Sequence, residues 1–419
     1  MERKSVVSIG GIALIAVGIG LFFMSSLNEA ETGDWPMFRF DLYHTGYSKC
    51  ELPDELDLLW MYETGDKIDS SPAVVDKNVY IGSDDGCVYC LAADTGELLW
   101  KYETGDSVGS SPAVSNGKVY IGSDDHCVYC LAADTGELLW KYETGDSVGS
   151  SPAVSNGKVY IGSGDHCIYC LAADTGELVW KYDTGVWVES SPAVVDGNVY
   201  IGSRSVLLYC LTADTGEIVW SYDMGQHYIR VHSSPTVYDG KVYFGSYVIP
   251  CCNSYFYCLS KDMGEIVWIY EVSEEMLYGS PAVADGNLYF GSGDNCVYCF
   301  RAGTGILAWK YETGDDVGSS PAVSDGKVYI GSYDHYIYCF ASETGKLQWK
   351  YETGGQIVKS SPAVADKKVF IGSHDGCVYC FGRKEKIPSY LLTAQFWSGV
   401  LVCLGVLIFV GSIVADRKK

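Results

Sequence analysis

The chain is poor in positive charge. Lys and Arg number 29 against 53 Asp and Glu over 419 residues, a formal net charge of -24. Phosphate backbones are held by basic surfaces, so this balance argues against a nucleic-acid partner. Catalytic signatures are missing as well: no serine triad, no glycine-rich phosphate loop and no HExxH motif can be read along the chain. Helix signals are absent between its two ends. Core-forming residues are plentiful. Hydrophobic residues make up 47% and aromatic residues 14%, which argues against disorder.

The ends differ from the middle. Val6–Met24 is an apolar run without a charge, preceded by Glu2, Arg3 and Lys4. At ~1.5 Å per residue it spans about 28 Å, roughly a bilayer core. It reads as an uncleaved anchor within residues 1–28, with a cleaved signal peptide as the alternative. Tyr390–Ala415 is a second uncharged run, with Tyr390 and Trp397 placed as an aromatic belt would place them. A basic linker, 383–389, precedes it, and a basic tail, 416–419, follows it. Both short tails being basic, the positive-inside rule puts both termini in the cytoplasm and residues 34–382 outside, at the cell membrane. Arg383, Lys384 and Lys386 argue the other way.

The middle is periodic. Lys101–Trp140 and Lys141–Trp180 differ at only three positions, those of Gly164, Ile168 and Val179. A Ser-Pro step recurs at Pro72, Pro112, Pro152, Pro192, Pro235, Pro281, Pro321 and Pro362. A Trp closes the unit at Trp60, Trp100, Trp140, Trp180, Trp220, Trp268, Trp309 and Trp349. Within one unit, Ser110–Val114, Lys118–Gly122, Cys127–Leu131 and Glu137–Tyr142 read as strands, separated by Asn, Asp, Gly and Thr turns. Four short strands every ~40 residues describe a propeller blade, so the fold class is all-β with eight four-stranded blades. The Trp60 strand precedes the first Ser-Pro step, and the last unit lacks a Trp strand. The N-terminal strand is therefore expected to close the ring and hide both edges.

The segment Cys90-Leu91-Ala92-Ala93-Asp94-Thr95-Gly96-Glu97-Leu98-Leu99-Trp100 resembles the tryptophan-docking pattern A-x-D-x-x-T-G-x-x-x-W of the PQQ-like (quinoprotein) propeller family. Thr, Gly and Trp keep their offsets; Cys replaces the first Ala, and Ala92 replaces the Asp. Asp34-Trp35-Pro36-Met37-Phe38 and His44-Thr45-Gly46 resemble the opening of such propellers. The resemblance covers roughly 34–382. It implies each indole packed over the Thr-Gly turn of a neighbouring blade, where a large aromatic buries ~150–250 Å². The family holds PQQ-dependent dehydrogenases and non-catalytic scaffolds similar to the outer-membrane assembly factor BamB.

Five CxxC pairs, Cys127/Cys130 among them, lie along single strands. At ~3.3 Å per residue their Cα atoms are ~10 Å apart, too far for a disulfide, and their side chains point to opposite faces. They read as structural thiols; disulfides between blades stay open. Asp125-His126, Asp165-His166, Asp334-His335 and His374-Asp375 read as solvated turns, since equivalent sites in different blades cannot share one ion.

Irregularities collect in the fourth and fifth units. Trp187 and Glu189 replace the Ser and Gly of the link between blades, and Arg204 replaces an acid in a turn. The next link is longer and brings His227, Tyr228, Arg230 and His232; the turn 247–254 brings the vicinal pair Cys251 and Cys252. Turns between strands two and three share a face with the links, so these residues form a candidate ligand or partner patch. Vicinal Cys pairs flank the cofactor in the dehydrogenases of the resembled family, yet the units are too alike to supply a calcium ligand set. The leading expectation is a membrane-anchored module that binds other membrane or cell-surface proteins without a cofactor. The alternative is an oxidoreductase using PQQ with calcium.

Overall fold

A computed structural model describes residues 33–384 except 54, 205, 226–228, 249–253 and 274–278. Both apolar runs, the tail, His227, Tyr228, Cys251 and Cys252 lie outside the described residues. Among the described residues there is no helix.

Each repeat unit makes one four-stranded antiparallel sheet. In the first blade the strands are Ala73–Val75, Asn78–Gly82, Cys87–Ala92 and Leu98–Glu103, hydrogen-bonded in that order. Val, Ile and Tyr alternate through the two middle strands and are buried on both faces, because a blade is packed between two neighbours. The innermost strand is shorter than the sequence suggested. In the second blade it runs Ala113–Ser115, because Ser110, Ser111 and Pro112 belong to the link instead.

The ring closes as the repeat count requires. Asp57–Glu63 is the outer strand of the eighth blade, antiparallel to Cys377–Gly382, with Leu58 opposite Phe381 and Glu63 opposite Cys377. The chain thus seals its last sheet with its first long strand, leaving no vacant outer position.

The indoles dock between blades. Trp60, Trp100, Trp140, Trp180, Trp220, Trp268 and Trp309 each donate Nε1–H to a carbonyl of the next blade, at 2.8–3.1 Å. The Trp140 ring lies under Gly176, which has φ +73°; a Cβ there would sit 2.7 Å from the indole. Trp349 faces the eighth blade, which has no Thr-Gly turn, and its ring packs edge-on against Phe381 instead.

Two axial features were not expected. Residues 33–48 form a strap across the inner strands. Backbone carbonyls of Trp35, Pro36, Leu42, Tyr43, Thr45 and Gly46 accept N–H groups from Val74, Val114, Val194, Val237, Val283 and Val323. The strap supplies the partners that the inner edges of six blades would otherwise lack. Arg39 is buried in it, donating to the carbonyls of Ser280, Pro281 and His44.

The second feature is a ring of serines. The N–H of Ser71 donates to Ser111 Oγ, Ser111 to Ser151, and so on through Ser191, Ser234, Ser280, Ser320 and Ser361 back to Ser71, at 2.8–3.0 Å. The residue after each serine is Pro, which has no N–H to satisfy.

Candidate functional site

The serine ring and Phe38 of the strap floor a funnel of about 640 Å³. It opens on the face that carries the links between blades and the turns between strands two and three. Its wall is set by the residue before each Ser-Ser-Pro step. That residue is Gly at 109, 149 and 318, but Asp69, Glu189, His232 and Lys359 elsewhere.

The link into the fourth blade and the one into the fifth form one wall. Arg204 Nε donates to Glu189 Oε2 at 2.8 Å, and its Nη2 lies 2.6 Å from Oε1, a two-pronged pair. The guanidinium stands 4.7 Å above the Trp187 ring. His232 Nδ1 is 3.0 Å from Glu189 Oε2, and its Nε2 is 3.0 Å from the Tyr247 hydroxyl. The His232 and Tyr247 rings are stacked at 5.3 Å. Burial raises the Glu189 pKa, but the hydrogen bond with His232 and the charge and hydrogen bonds of Arg204 outweigh it and hold the carboxyl below its ordinary value. Trp187 remains 43% exposed at the mouth.

The structure therefore brings Trp187, Glu189, Arg204 and His232 together. Arg230 stands in the added strand Ile229–Arg230, which pairs with the end of Lys241–Val248 in the fifth blade.

The opposite wall was missed. Asp69 meets His374 Nε2 at 2.7 Å and Lys359 Nζ at 3.1 Å, and Lys67 pairs with Asp84 at 3.2 Å. Burial works against the Asp69 anion, yet His374 and Lys359 hold its pKa at about 2. The eighth and first blades stand across the ring from the fourth and fifth. Asp69 and Lys359 occupy the register of Glu189 before Ser-Ser-Pro, and that substitution was the available signal.

The acids one step along the regular turns are structural. Asp125 accepts from the Gly105 and Cys127 N–H groups and from the Tyr129 hydroxyl, so it is a blade-to-blade connector rather than a merely solvated turn residue. His126 beside it is exposed, with φ +71°. The described cysteines are free thiols, and burial raises those at the second CxxC position, Cys130 to about 12.

A calcium-bound quinone would need uncompensated carboxylates converging on the funnel. Of the four described carboxylates that line it, Asp69, Asp84 and Glu189 are committed to Lys, Arg or His partners, which leaves Asp124 alone. Among the described residues no three His, Cys, Asp or Glu side chains are grouped to hold a metal. The described residues do not fit that cofactor.

The family described as outer membrane protein assembly factor BamB matches residues 54–148, 124–248 and 253–385. The chain belongs to this PQQ-like β-propeller family. Among solved structures, it is similar to BamB from Moraxella catarrhalis, at 20% identity and TM-score 0.69 over 78% of this chain and 100% of that one. It is also similar to a europium-containing methanol dehydrogenase, at 16% identity and TM-score 0.72 over 84% and 98% of the two chains. A quinohemoprotein alcohol dehydrogenase from Comamonas testosteroni gives 17% identity and TM-score 0.72 over 88% and 83%. These likenesses establish the fold. No curated protein matches the sequence significantly.

Proposed function

We propose that this chain is a membrane-anchored, outward-facing scaffold whose funnel binds another membrane or cell-surface protein along the wall of the fourth and fifth blades. The observation that carries the reading is the chain of contacts Trp187–Arg204–Glu189–His232–Tyr247. Its polar groups are held in place before any partner arrives, and an exposed indole stands at its end. Aromatic and Arg side chains are the usual anchors of protein interfaces, and preorganisation lowers the ordering cost of binding. Membership of the BamB-like family supports a scaffold role, and the uncharged runs at both ends support anchoring. The test is photo-crosslinking of the full chain in its native membrane, with the photoreactive residue at position 187 or at position 116. A defined protein adduct is expected from 187 alone; identical adduct patterns from both positions would refute the assignment.

The second reading, a PQQ-dependent oxidoreductase, draws on the two dehydrogenases of the same fold. The pairing of three of the four described funnel carboxylates speaks against it. Addition of PQQ with calcium is expected to produce neither a bound-quinone absorbance nor dye-linked alcohol oxidation.

A further inference from the structure

The two faces of the propeller are not equivalent. In each blade the first and third strands run from the link face to the opposite face, so the turns 76–77 and 93–96 lie together there, joined by Ala93 N–H to the Lys77 carbonyl. Both ends of the described chain emerge on that same opposite face. Gly33 accepts from the Asp366 N–H, in the first turn of the eighth blade, and Asp34 accepts from the Asp76 N–H, in the first turn of the first. Gly382 ends the third strand of the eighth blade.

The rim of this face carries an apolar belt. The outer strand of each regular blade begins with two adjacent aliphatic residues on the solvent side. Leu98 and Leu99 are 39% and 50% exposed, Leu138 and Leu139 are 38% and 47% exposed, equivalent pairs continue through the fifth blade, and in the sixth Ile306 and Leu307 are exposed one position further from the Trp. The pair is adjacent because the strand is irregular there: Leu138 lies opposite Leu131 and Trp140 opposite Cys130, so Leu139 is squeezed outward. A belt repeated around a ring is a larger apolar surface than isolated exposed leucines make.

From this geometry, and resting on the anchoring proposed above, we infer that the face bearing the chain ends and the aliphatic belt lies against the membrane, that the belt contacts lipid, and that the funnel opens away from it. Chain length decides the orientation. Eight residues, 25–32, separate the first apolar run from Gly33, and seven, 383–389, separate Gly382 from the second. Fully extended they reach about 29 Å and about 25 Å. To bring the funnel face to the bilayer, the first tether would have to cross the blade from near the axis and then descend its depth. Crossing costs three strand spacings, about 14 Å, and the descent along a six-residue strand about 20 Å. That path exceeds the tether. With the other face down, both tethers reach directly. Glu97 and Glu137 on the same rim are exposed, so the contact rests on apolar area and not on attraction to anionic headgroups.

The test uses the full chain in its native membrane. One variant carries p-benzoylphenylalanine in place of Leu139, on the belt; another carries it in place of Ser107, on the funnel face. After irradiation, mass spectrometry is expected to find lipid adducts at 139 at least tenfold above those at 107. Equal labelling, an excess at 107, or no lipid adduct at either position would overturn the inference. Carbonate extraction of the same membranes separates the two levels. A chain released by carbonate refutes the anchoring and this inference with it, whereas a retained chain with the wrong labelling refutes the orientation alone.

Discussion

The backbone N–H of Ser361 donates to Ser71 Oγ at 2.9 Å, joining residues 290 positions apart and closing an eight-membered ring around the axis. The same two blades are joined again at the periphery, where Asp57–Glu63 completes the sheet of Cys377–Gly382. Closure is thus made both at the axis and at the rim. Deleting residues 51–66 removes the outer strand and the start of the link, exposing the edge of the last blade. The expected outcome is aggregation or a large fall in the thermal midpoint. A deletion variant that melts like the parent would count against this closure.

Single ring positions give a finer test. Ser151→Ala leaves the buried N–H of Ser111 without its acceptor, while Ser151→Thr keeps a hydroxyl there. An unsatisfied buried donor costs about 1–3 kcal/mol. Denaturant titration should show a loss of that size for Ala and a smaller one for Thr. No loss for Ala would mean that water replaces the hydroxyl.

Indole docking separates packing from hydrogen bonding. Trp140→Phe removes the 3.0 Å bond to the Ala173 carbonyl but keeps a ring, and should cost about 1 kcal/mol from that bond. Trp140→Ala empties a buried site and should cost about 3–5 kcal/mol. Gly176→Ala drives a Cβ into the same indole at a positive φ and should be destabilising too. If the Gly176 variant were neutral in equilibrium unfolding, the turn would not be held against the ring as described.

The strap gives the fold a pH response. His44 is buried, its Nδ1 lies 3.1 Å from the Pro235 carbonyl, and Arg39 and Asp41 stand nearby. Burial, helped by the Arg39 charge, lowers its pKa to about 3. Above the unfolded value of about 6.5 the ring is neutral in both states and contributes no pH dependence. Below it the unfolded chain takes up the proton and the folded chain does not, so stability falls as pH drops towards 3. One pH unit inside this window corresponds to at most about 1.4 kcal/mol from this group. His44→Gln should therefore lose less stability than the parent between pH 6.5 and pH 4.5. Parallel stability curves for the two proteins over that range would contradict the assignment.

The blade architecture was legible because its information is local and repeated. Lys118–Gly122 was read with its observed bounds, and the Trp60 strand was matched to the blade it closes. The strap was not legible beyond its family likeness. Its carbonyls pair with valines in six blades, and a segment such as Arg39-Phe40-Asp41 has no strand period of its own. The serine ring was hidden for a related reason: Ser before Pro is visible in every unit, but its acceptor lies one blade away. At the funnel, Trp187, Glu189, Arg204 and His232 stood out as departures from the repeat. Asp69 and Lys359 depart at the same register and were passed over because they flank the closure, where no regular unit offers a direct comparison.

The most direct measurement compares partner recovery by two variants of the full chain in its native membrane, after in situ crosslinking and quantitative mass spectrometry. One carries Trp187→Ala with Arg204→Ala, removing the indole and the charge that stacks on it. The other carries His126→Ala with Glu143→Ala, two exposed residues of a regular blade that do not line the funnel. With both variants equally folded by circular dichroism, the first should lose at least tenfold of the partner captured by the parent, and the second should stay within twofold. Equal recovery by the two would place the binding site elsewhere on the molecule.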